Sequence, residues 1–286
     1  MAVNTELNEE SLFAHNYLRK RHGCPPLEYD EELAKSSQVF ADKLAHSPRF
    51  RYYYPTDYGE NVAYRVSARC AKLSGIDATL RWYREILTYT SGEESQRKYG
   101  HFAQVIWKKT KQAGFGMAKS VDGKRVFVVG RYKPRGNRRA YWDEQVPPPT
   151  DNTVYVPTSE EMVELYKKAM DEKAENQESY EAYVKSILDA LNSIRRENQL
   201  PPLRLNSELI KKRRVDLSAQ PGENEDDSNS EEDDEQMRIP RTKLIDPTRI
   251  AKLMLKNGQV TRKDITMVGI VTVLMPQSST VAIAFK

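Results

Sequence analysis

Apolar residues recur at helical spacing in the early part of the chain and then give way to short strand-like segments. The helical spacing predicts helices over 8–22, 30–46, 76–88 and 101–110. Strands are predicted at 114–120 and 125–133, because Asp122-Gly123 between them is a strong hairpin signal. The aromatic stretch 50–61 predicts a loop. Helices followed by a β-ribbon predict an α+β fold, with helices packed against an antiparallel sheet.

The second half of the chain begins after three consecutive prolines at 147–149, which predict a linker. Thr158 and Glu161 have the spacing of a capping box, and the segment 159–190 after them favours a helix. Between Glu223 and Glu235, nine of thirteen residues are acidic. A segment of that composition cannot bury a core, so we predict a disordered loop there.

Part of the first half is repeated in the second. The string AHNYLRKRHGCPPLEYDEELAKS, from Ala14, aligns without a gap with ALNSIRRENQLPPLRLNSELIKK, from Ala190. The matched pairs include Asn16 with Asn192, Arg19 with Arg195, and Glu32-Leu33 with Glu208-Leu209. The last twenty residues also repeat the strand-turn-strand pattern of the first half. We therefore predict a second, shortened copy of the first domain.

The two copies differ in the chemistry that they can carry. All four histidines and all three tryptophans lie before residue 143. The histidines are His15, His22, His46 and His101. Any chemistry that needs imidazole is therefore impossible in the second copy alone.

The net charge of +4 hides a strong asymmetry. Residues 1–140 hold 25 Lys and Arg against 15 Asp and Glu, whereas the remainder holds 20 against 26. The resulting charge of +10 could draw the first half to anionic lipid headgroups, or it could be a solvated basic face. No recognised binding motif accompanies the charge, so we do not expect nucleic acid as a partner.

The sequence predicts a cytoplasmic protein. Its first residues lack the basic region and apolar core of a secretory signal. Its two cysteines, Cys24 and Cys70, fall short of the disulfide framework of a stable secreted domain. We expect two reduced thiols, although one bridge between them remains an alternative.

Four residues of the first half are candidates for a site: His46, Glu60, Glu85 and His101. Imidazole and carboxylate are a ligand mix that suits zinc, and they could also serve as general acid and base. Sequence spacing does not show that these side chains meet. A structural role for each histidine is the alternative.

Several strings of the first half resemble the signature segments of one family. They are LAHSP, YGENVAY, RWYREI, GHFAQVIWKKTKQAGFGMA and FVVGRYKPRGN. They resemble the CAP superfamily, which comprises cysteine-rich secretory, venom allergen-like and pathogenesis-related proteins. Within it the match is closest to the intracellular, Golgi-associated branch, and it covers roughly residues 8–150. Secreted members carry a cysteine where this chain has Gly130.

The resemblance implies an α-β-α sandwich, the CAP fold, with His46, Glu60, Glu85 and His101 converging in one cavity. In the family this cavity can hold Zn²⁺ or another divalent ion, for which His46 and His101 would be the ligands. We accordingly predict a complete domain at 8–145 and a linker and helix at 146–180. A degenerate copy would follow at 181–286, with the acidic disordered loop at 221–236.

Three functions follow from these predictions. The first is non-enzymatic binding of anionic lipids or a membrane surface, with no catalytic residue and a peripheral membrane location. The membrane-facing residues would be Arg131, Lys133, Arg135, Arg138 and Arg139. The second is a scaffold in which the degenerate copy pairs with the first copy or supports a homodimer. The third is a metal-dependent hydrolase at the His/Glu cavity.

Overall fold

The computed structural model describes residues 3–46, 57–90, 98–210, 235–240, 246–256, 258, 260–274 and 278–285. The chain divides into two compact units, Met1–Met170 and Asp171–Lys286. The division falls within a single 39-residue helix, Ser159–Glu197, and inside the predicted segment 146–180. None of the helices in the described ranges is long and apolar enough to cross a membrane.

The first unit contains five helices and four strands in its described residues, apart from 3-10 helices and the start of the long helix. They are α1 (Thr5–Arg21), β1 (Glu28–Tyr29), α2 (Glu31–His46), β2 (Gly59–Val66), α3 (Gly75–Tyr83), α4 (Gly100–Ile106), β3 (Gln112–Lys119), β4 (Arg125–Lys133) and α5 (Trp142–Gln145). The predicted third helix is α3 followed by a 3-10 helix, Arg84–Thr88. The long helix that passes into the second unit is α6 (Ser159–Glu197).

Local signals in the sequence set several of these boundaries. Asp30 caps α2, because its side chain accepts the Leu33 N–H at 2.8 Å. Thr158 and Glu161 form the predicted capping box. The Thr158 hydroxyl accepts the Glu161 N–H at 3.2 Å, and the Glu161 carboxylate accepts the Thr158 N–H at 2.7 Å. Gly123 has a φ of +67° in the turn between β3 and β4, so the predicted hairpin is confirmed.

The sheet of the first unit has the strand order β1-β3-β4-β2. The short β1 runs parallel to β3, and the other neighbours are antiparallel. In this register Glu60 of β2 lies directly opposite Arg131 of β4. The pairing of these two strands therefore determines which charged side chains meet.

Helices cover both faces of this sheet. Helix α2 packs on one face against Ala118 and Val129, whereas α1, α3 and α4 pack on the other face around Phe115 and Val128. Strand β3 comes very close to α2, since a Cβ on Gly114 would lie 2.2 Å from the backbone nitrogen of Ala34. The first unit is thus the α-β-α sandwich that the family resemblance implied.

Strand β2 corrects the sequence prediction. The stretch 50–61 was expected to be a loop, but Gly59, Glu60 and Asn61 begin an edge strand. Residues 50–56 lie outside the described part of the chain. Because a strand at the edge of a sheet is only partly covered, its sequence shows no clean alternation of apolar and polar residues.

The second unit carries a sheet of its own. Its elements are the end of α6, then β5 (Arg204–Leu205), β6 (Glu235–Pro240), α7 (Pro247–Lys256), β7 (Met267–Leu274) and β8 (Ser278–Phe285). The strand order is β5-β7-β8-β6, with β5 parallel to β7. The acidic loop predicted at 221–236 lies outside the described residues, apart from its last two positions. These two residues, Glu235 and Gln236, belong to β6 and not to a loop.

Arg19 in the first unit and Arg195 in the second are fully buried in the described part of the chain, and each connects separate segments of its unit. In the first unit, Arg19 Nε donates to the carbonyl of Pro25 at 2.7 Å. Its Nη1 donates to the carbonyls of Val105 and Trp107, and its Nη2 to that of Thr110, at 2.9 to 3.1 Å. The guanidinium therefore satisfies backbone oxygens that the core would otherwise leave unpaired.

Arg195 makes the same kind of contacts in the second unit. Its Nε donates to the carbonyl of Pro201 at 2.7 Å. Its Nη1 donates to the carbonyls of Val260 and Arg262, at 2.8 and 3.0 Å, and its Nη2 to that of Ile265 at 2.9 Å. A buried charge with this many acceptors fixes the geometry of the surrounding segments.

Candidate functional site

Glu85 and His101 form one hydrogen-bonded pair of the predicted site. His101, in the first turn of α4, donates from Nδ1 to Glu85 Oε1 at 2.7 Å. The other carboxylate oxygen accepts the backbone N–H of Phe102 at 3.0 Å. A carboxylate at the start of a helix is favoured by the exposed N–H groups there. The His101 side chain is 45% exposed and that of Glu85 is 24% exposed, so solvent reaches the pair.

Glu60 forms a second pair, with Arg131. Its Oε2 accepts from Arg131 Nε and Nη2, each at 3.0 Å. The side chains are 2% and 11% exposed, and Arg131 Nη1 also donates to the carbonyl of Ser36 at 2.9 Å. The guanidinium lies over the rings of Tyr58 and Phe40, 4.4 and 5.2 Å from their centroids. Arg131 is thus the partner of Glu60 that sequence reasoning missed.

His46 occupies the last position of α2. Its Nδ1 donates to the carbonyl of Asp42, one turn earlier, at 2.7 Å, and its side chain is exposed. The structure therefore joins Glu85 to His101 directly, whereas His46 is bonded to its own helix. Asn61, next to Glu60, donates to the carbonyl of His101 at 3.1 Å and so connects β2 with α4.

The metal site predicted at His46 and His101 stays a prediction. Across the described ranges, no three His, Cys, Asp or Glu side chains are placed so that they could hold a metal ion. Two pairs of side chains do meet, and each combines a hydrogen-bond donor with a carboxylate. They are His101 with Glu85 and Arg131 with Glu60.

The predicted membrane-facing residues do not all lie at the surface. Lys133, Arg138 and Arg139 are exposed, and Arg135 is half-buried. Arg131 is buried and bonded to Glu60, so it does not belong to this exposed set. The reason is its place in β4, where it points to the face that α2 covers.

Further basic residues extend the exposed set. Lys108, Lys109 and Lys111 are exposed on the segment before β3, and Lys111 N–H donates to the carbonyl of Lys133 at 2.8 Å. The Lys109 ammonium lies 5.3 Å from the ring of Tyr141, which is 47% exposed. We call the following residues the basic face: Lys108, Lys109, Lys111, Lys133, Arg135, Arg138, Arg139 and Tyr141.

Buried glutamine and threonine side chains support the basic face from below. Gln104, which is 1% exposed, accepts from the Gly136 N–H at 2.8 Å and donates to Thr110 Oγ1 at 3.2 Å. Thr110 Oγ1 in turn donates to the carbonyl of Pro134 at 2.9 Å. Gln145 accepts the N–H of Lys109 through its side chain, at 2.8 Å. These bonds hold the segments on both sides of β3 and β4 in one arrangement.

The remaining two histidines are buried in the first unit. His15 donates from Nδ1 to the carbonyl of Ser11 at 2.7 Å, and its Nε2 accepts from the Tyr132 hydroxyl at 3.0 Å. Burial lowers the pKa of His15 to about 3. His22 is placed similarly, between the Pro147 carbonyl and the Tyr83 hydroxyl, and burial lowers its pKa as well. Both imidazoles are neutral parts of the core.

Known proteins resemble the first part of the chain. The family model described as "Cysteine-rich secretory protein family" (CAP) matches residues 12–132. Golgi-associated plant pathogenesis-related protein 1 of Homo sapiens is 35% identical over 161 residues, which are 52% of this chain and 97% of that protein. Pathogenesis-related protein 1 of Arabidopsis thaliana is 28% identical over 45% of this chain and 77% of its own length.

A solved structure, NaASP2 with Zn²⁺, aligns with a TM-score of 0.40 at 20% sequence identity. The alignment covers 48% of this chain and 83% of that chain.

Proposed function

This chain belongs to the cysteine-rich secretory protein (CAP) family, and from that premise we propose that it is a non-enzymatic protein whose first unit binds anionic lipid surfaces. The observation that carries the proposal is the basic face, which presents lysine and arginine side chains on a hydrogen-bonded support. Because the backbone beneath these cations is already held in place, a negatively charged surface can bind them without the cost of ordering the segments that carry them.

The charge balance of the basic face favours an anionic surface. Seven Lys and Arg residues lie in it. Acidic Asp143 and Glu144 follow it in the sequence, and the N–H of exposed Glu28 donates to the carbonyl of Lys111 at 2.8 Å. Glu144 is already 3.6 Å from the Lys109 ammonium. Each basic residue near a cytoplasmic leaflet contributes about 1 kcal/mol of attraction. Tyr141 beside Lys109 adds an amphipathic ring of the type that is enriched at membrane interfaces.

The arrangement of the site supports a non-enzymatic role. Glu60 accepts from the Arg131 guanidinium, and both oxygens of Glu85 accept hydrogen bonds. Buried and half-buried polar groups with such partners can stabilise a fold without taking part in any reaction. A metal-dependent hydrolase would instead need these carboxylates to bind an ion or activate water.

We further propose that the protein acts inside the cell, at a membrane surface. Both cysteines are thiols rather than a disulfide, which fits a reducing compartment. One relative carries the name Golgi-associated, and 97% of its length aligns with this chain.

For the second unit we propose a reduced copy of the first that serves as a scaffold. The shared strand order and the buried Arg19 and Arg195 support the duplication. Asn16 also exchanges hydrogen bonds with the backbone of Leu27 as Asn192 does with Leu203. Matching long-range contacts at aligned positions are what a duplicated fold would retain.

Vesicle co-sedimentation tests the lipid proposal. The full chain is mixed with vesicles of phosphatidylcholine alone or with 30% phosphatidylserine, at low salt and at physiological salt. The test variant replaces Lys108, Lys109, Lys111 and Lys133 by glutamine. If each lysine contributes about 1 kcal/mol, the variant should lose up to about a thousandfold in affinity for the anionic vesicles.

The matched control removes the same charge elsewhere on the first unit. Lys43, Lys72, Lys119 and Lys124 are exposed, and Lys119 and Lys124 lie at the opposite end of the β3–β4 hairpin. Their replacement by glutamine should lower the affinity only through the net charge. The proposal fails if the wild-type chain does not pellet with anionic vesicles at low salt, or if both variants lose binding equally.

A further inference from the structure

We infer that Arg131 is the resident cation of the His/Glu site and that it prevents divalent metal ions from using Glu60 as a ligand. This inference concerns the site itself and does not depend on lipid binding. It rests on how Arg131 is held, and on what the other carboxylate of the site is bonded to.

Arg131 is held on several sides and donates to one carboxylate oxygen of Glu60. Two of its nitrogens donate to Glu60 Oε2, and a third donates to the Ser36 carbonyl on α2. The rings of Tyr58 and Phe40 provide favourable faces for the cation. Because the side chain is only 11% exposed, it cannot leave Glu60 without remaining as a buried charge.

Glu85 is also engaged. One of its oxygens accepts from His101 Nδ1, and the other accepts the Phe102 N–H. A metal ion at Glu85 would have to replace at least one of these bonds. Of the four residues that the family resemblance brings together, the two carboxylates thus already have donors from the chain itself.

The charge of Arg131 also acts at a distance. At the dielectric constant of water, about 80, a divalent ion about 6 Å from a fixed unit positive charge is bound about tenfold more weakly than without that charge. The effect grows where solvent is excluded, as it is around Arg131. Removal of the charge should therefore raise the affinity for a divalent ion by tenfold or more.

Calorimetric titration of the full chain with Zn²⁺ tests the inference. Arg131→Met keeps an apolar side chain between the two rings but has no charge, and it should bind Zn²⁺ at least about tenfold more tightly than the wild type. Adding His101→Ala to that variant should remove the gain, which separates this site from adventitious sites. Arg131→Lys keeps the charge and should bind Zn²⁺ as weakly as the wild type.

The opposite results are equally clear. Equal Zn²⁺ affinities for the wild type and Arg131→Met would overturn the inference. A second variant, Glu60→Gln, keeps the test decisive if Arg131→Met does not fold. If Arg131 occupies Glu60, loss of the Glu60 charge alone lowers the Zn²⁺ affinity by no more than about tenfold. If instead the variant loses far more than that from a tight Zn²⁺ binding that the wild type has, Glu60 is a metal ligand and the inference is wrong.

Discussion

Replacement of Arg195 by methionine should destabilise the second unit by about 4 kcal/mol and leave the first unit unchanged. Arg195 is fully buried, and its guanidinium donates to four backbone carbonyls. These belong to Pro201, four residues after the end of α6, and to Val260, Arg262 and Ile265 before β7. Methionine has a similar length but no donor, so all four carbonyls lose this partner at once.

The magnitude follows from two opposing contributions. A hydrogen bond to a charged group contributes about 1.5–3 kcal/mol, so four bonds would sum to about 6–12 kcal/mol. The substitution also relieves the cost of burying the guanidinium, which is itself several kcal/mol. A net loss of about 4 kcal/mol is a large part of the 5–15 kcal/mol that typically stabilises a domain.

The distribution of tryptophan allows the two units to be followed separately. Trp82, Trp107 and Trp142 all lie in the first unit, so tryptophan fluorescence in urea reports its unfolding alone. Amide hydrogen exchange of peptides from α7 and β7 reports the second unit. We expect faster exchange there in Arg195→Met and no change in the fluorescence midpoint.

The neighbouring residue provides the control. Arg196 is exposed on the same helix, so Arg196→Met removes the same charge without touching a core carbonyl. If the amide hydrogens of α7 and β7 exchange at the same rate in both variants, the buried Arg195 does not connect these segments as described. If Arg195→Met shifts the tryptophan midpoint as well, the units do not unfold independently.

Two further predictions concern the first unit. Burial lowers the pKa of His15 to about 3. The free energy of unfolding of the first unit should therefore be highest above pH 6.5 and fall by up to about 5 kcal/mol toward pH 3, because only the unfolded state binds a proton on this imidazole in that range. His15→Gln should therefore show a flatter dependence of the urea midpoint on pH, and an unchanged slope would contradict this account. Gly114→Ala should destabilise the unit by about 1–3 kcal/mol, since its Cβ would lie 2.2 Å from Ala34 N. Gly100→Ala, where the nearest atom is 3.5 Å away, is the control in thermal unfolding, and equal midpoints would refute the predicted clash.

Short-range signals in the sequence predicted the boundaries of elements well. Asp30 and the Thr158–Glu161 pair act on backbone groups three residues away, and Gly123 acts within its own turn. Interactions of this kind are contained in the local sequence, so no knowledge of the rest of the fold is needed to predict them.

Strand β2 could not be predicted in this way. It exists because it pairs with β4, more than sixty residues later in the chain. Tyr64 and Val66 on this edge strand are 55% and 63% exposed, so burial does not impose a clear pattern on them. Strand pairing over such a distance is decided by the whole sheet rather than by local propensity.

The bonding partners of the proposed site residues could not be predicted from the sequence. The family resemblance pointed to Glu60, yet it did not indicate what would balance that charge. Alternation along β4 contained the missing signal, because Arg131 shares a face with Phe127 and Val129, and Val129 is fully buried under α2. A basic residue that is buried on such a face needs polar partners nearby. The register of β2 against β4 then places Glu60 directly opposite, so the same pairing that sequence reasoning missed is what gives the site its cation.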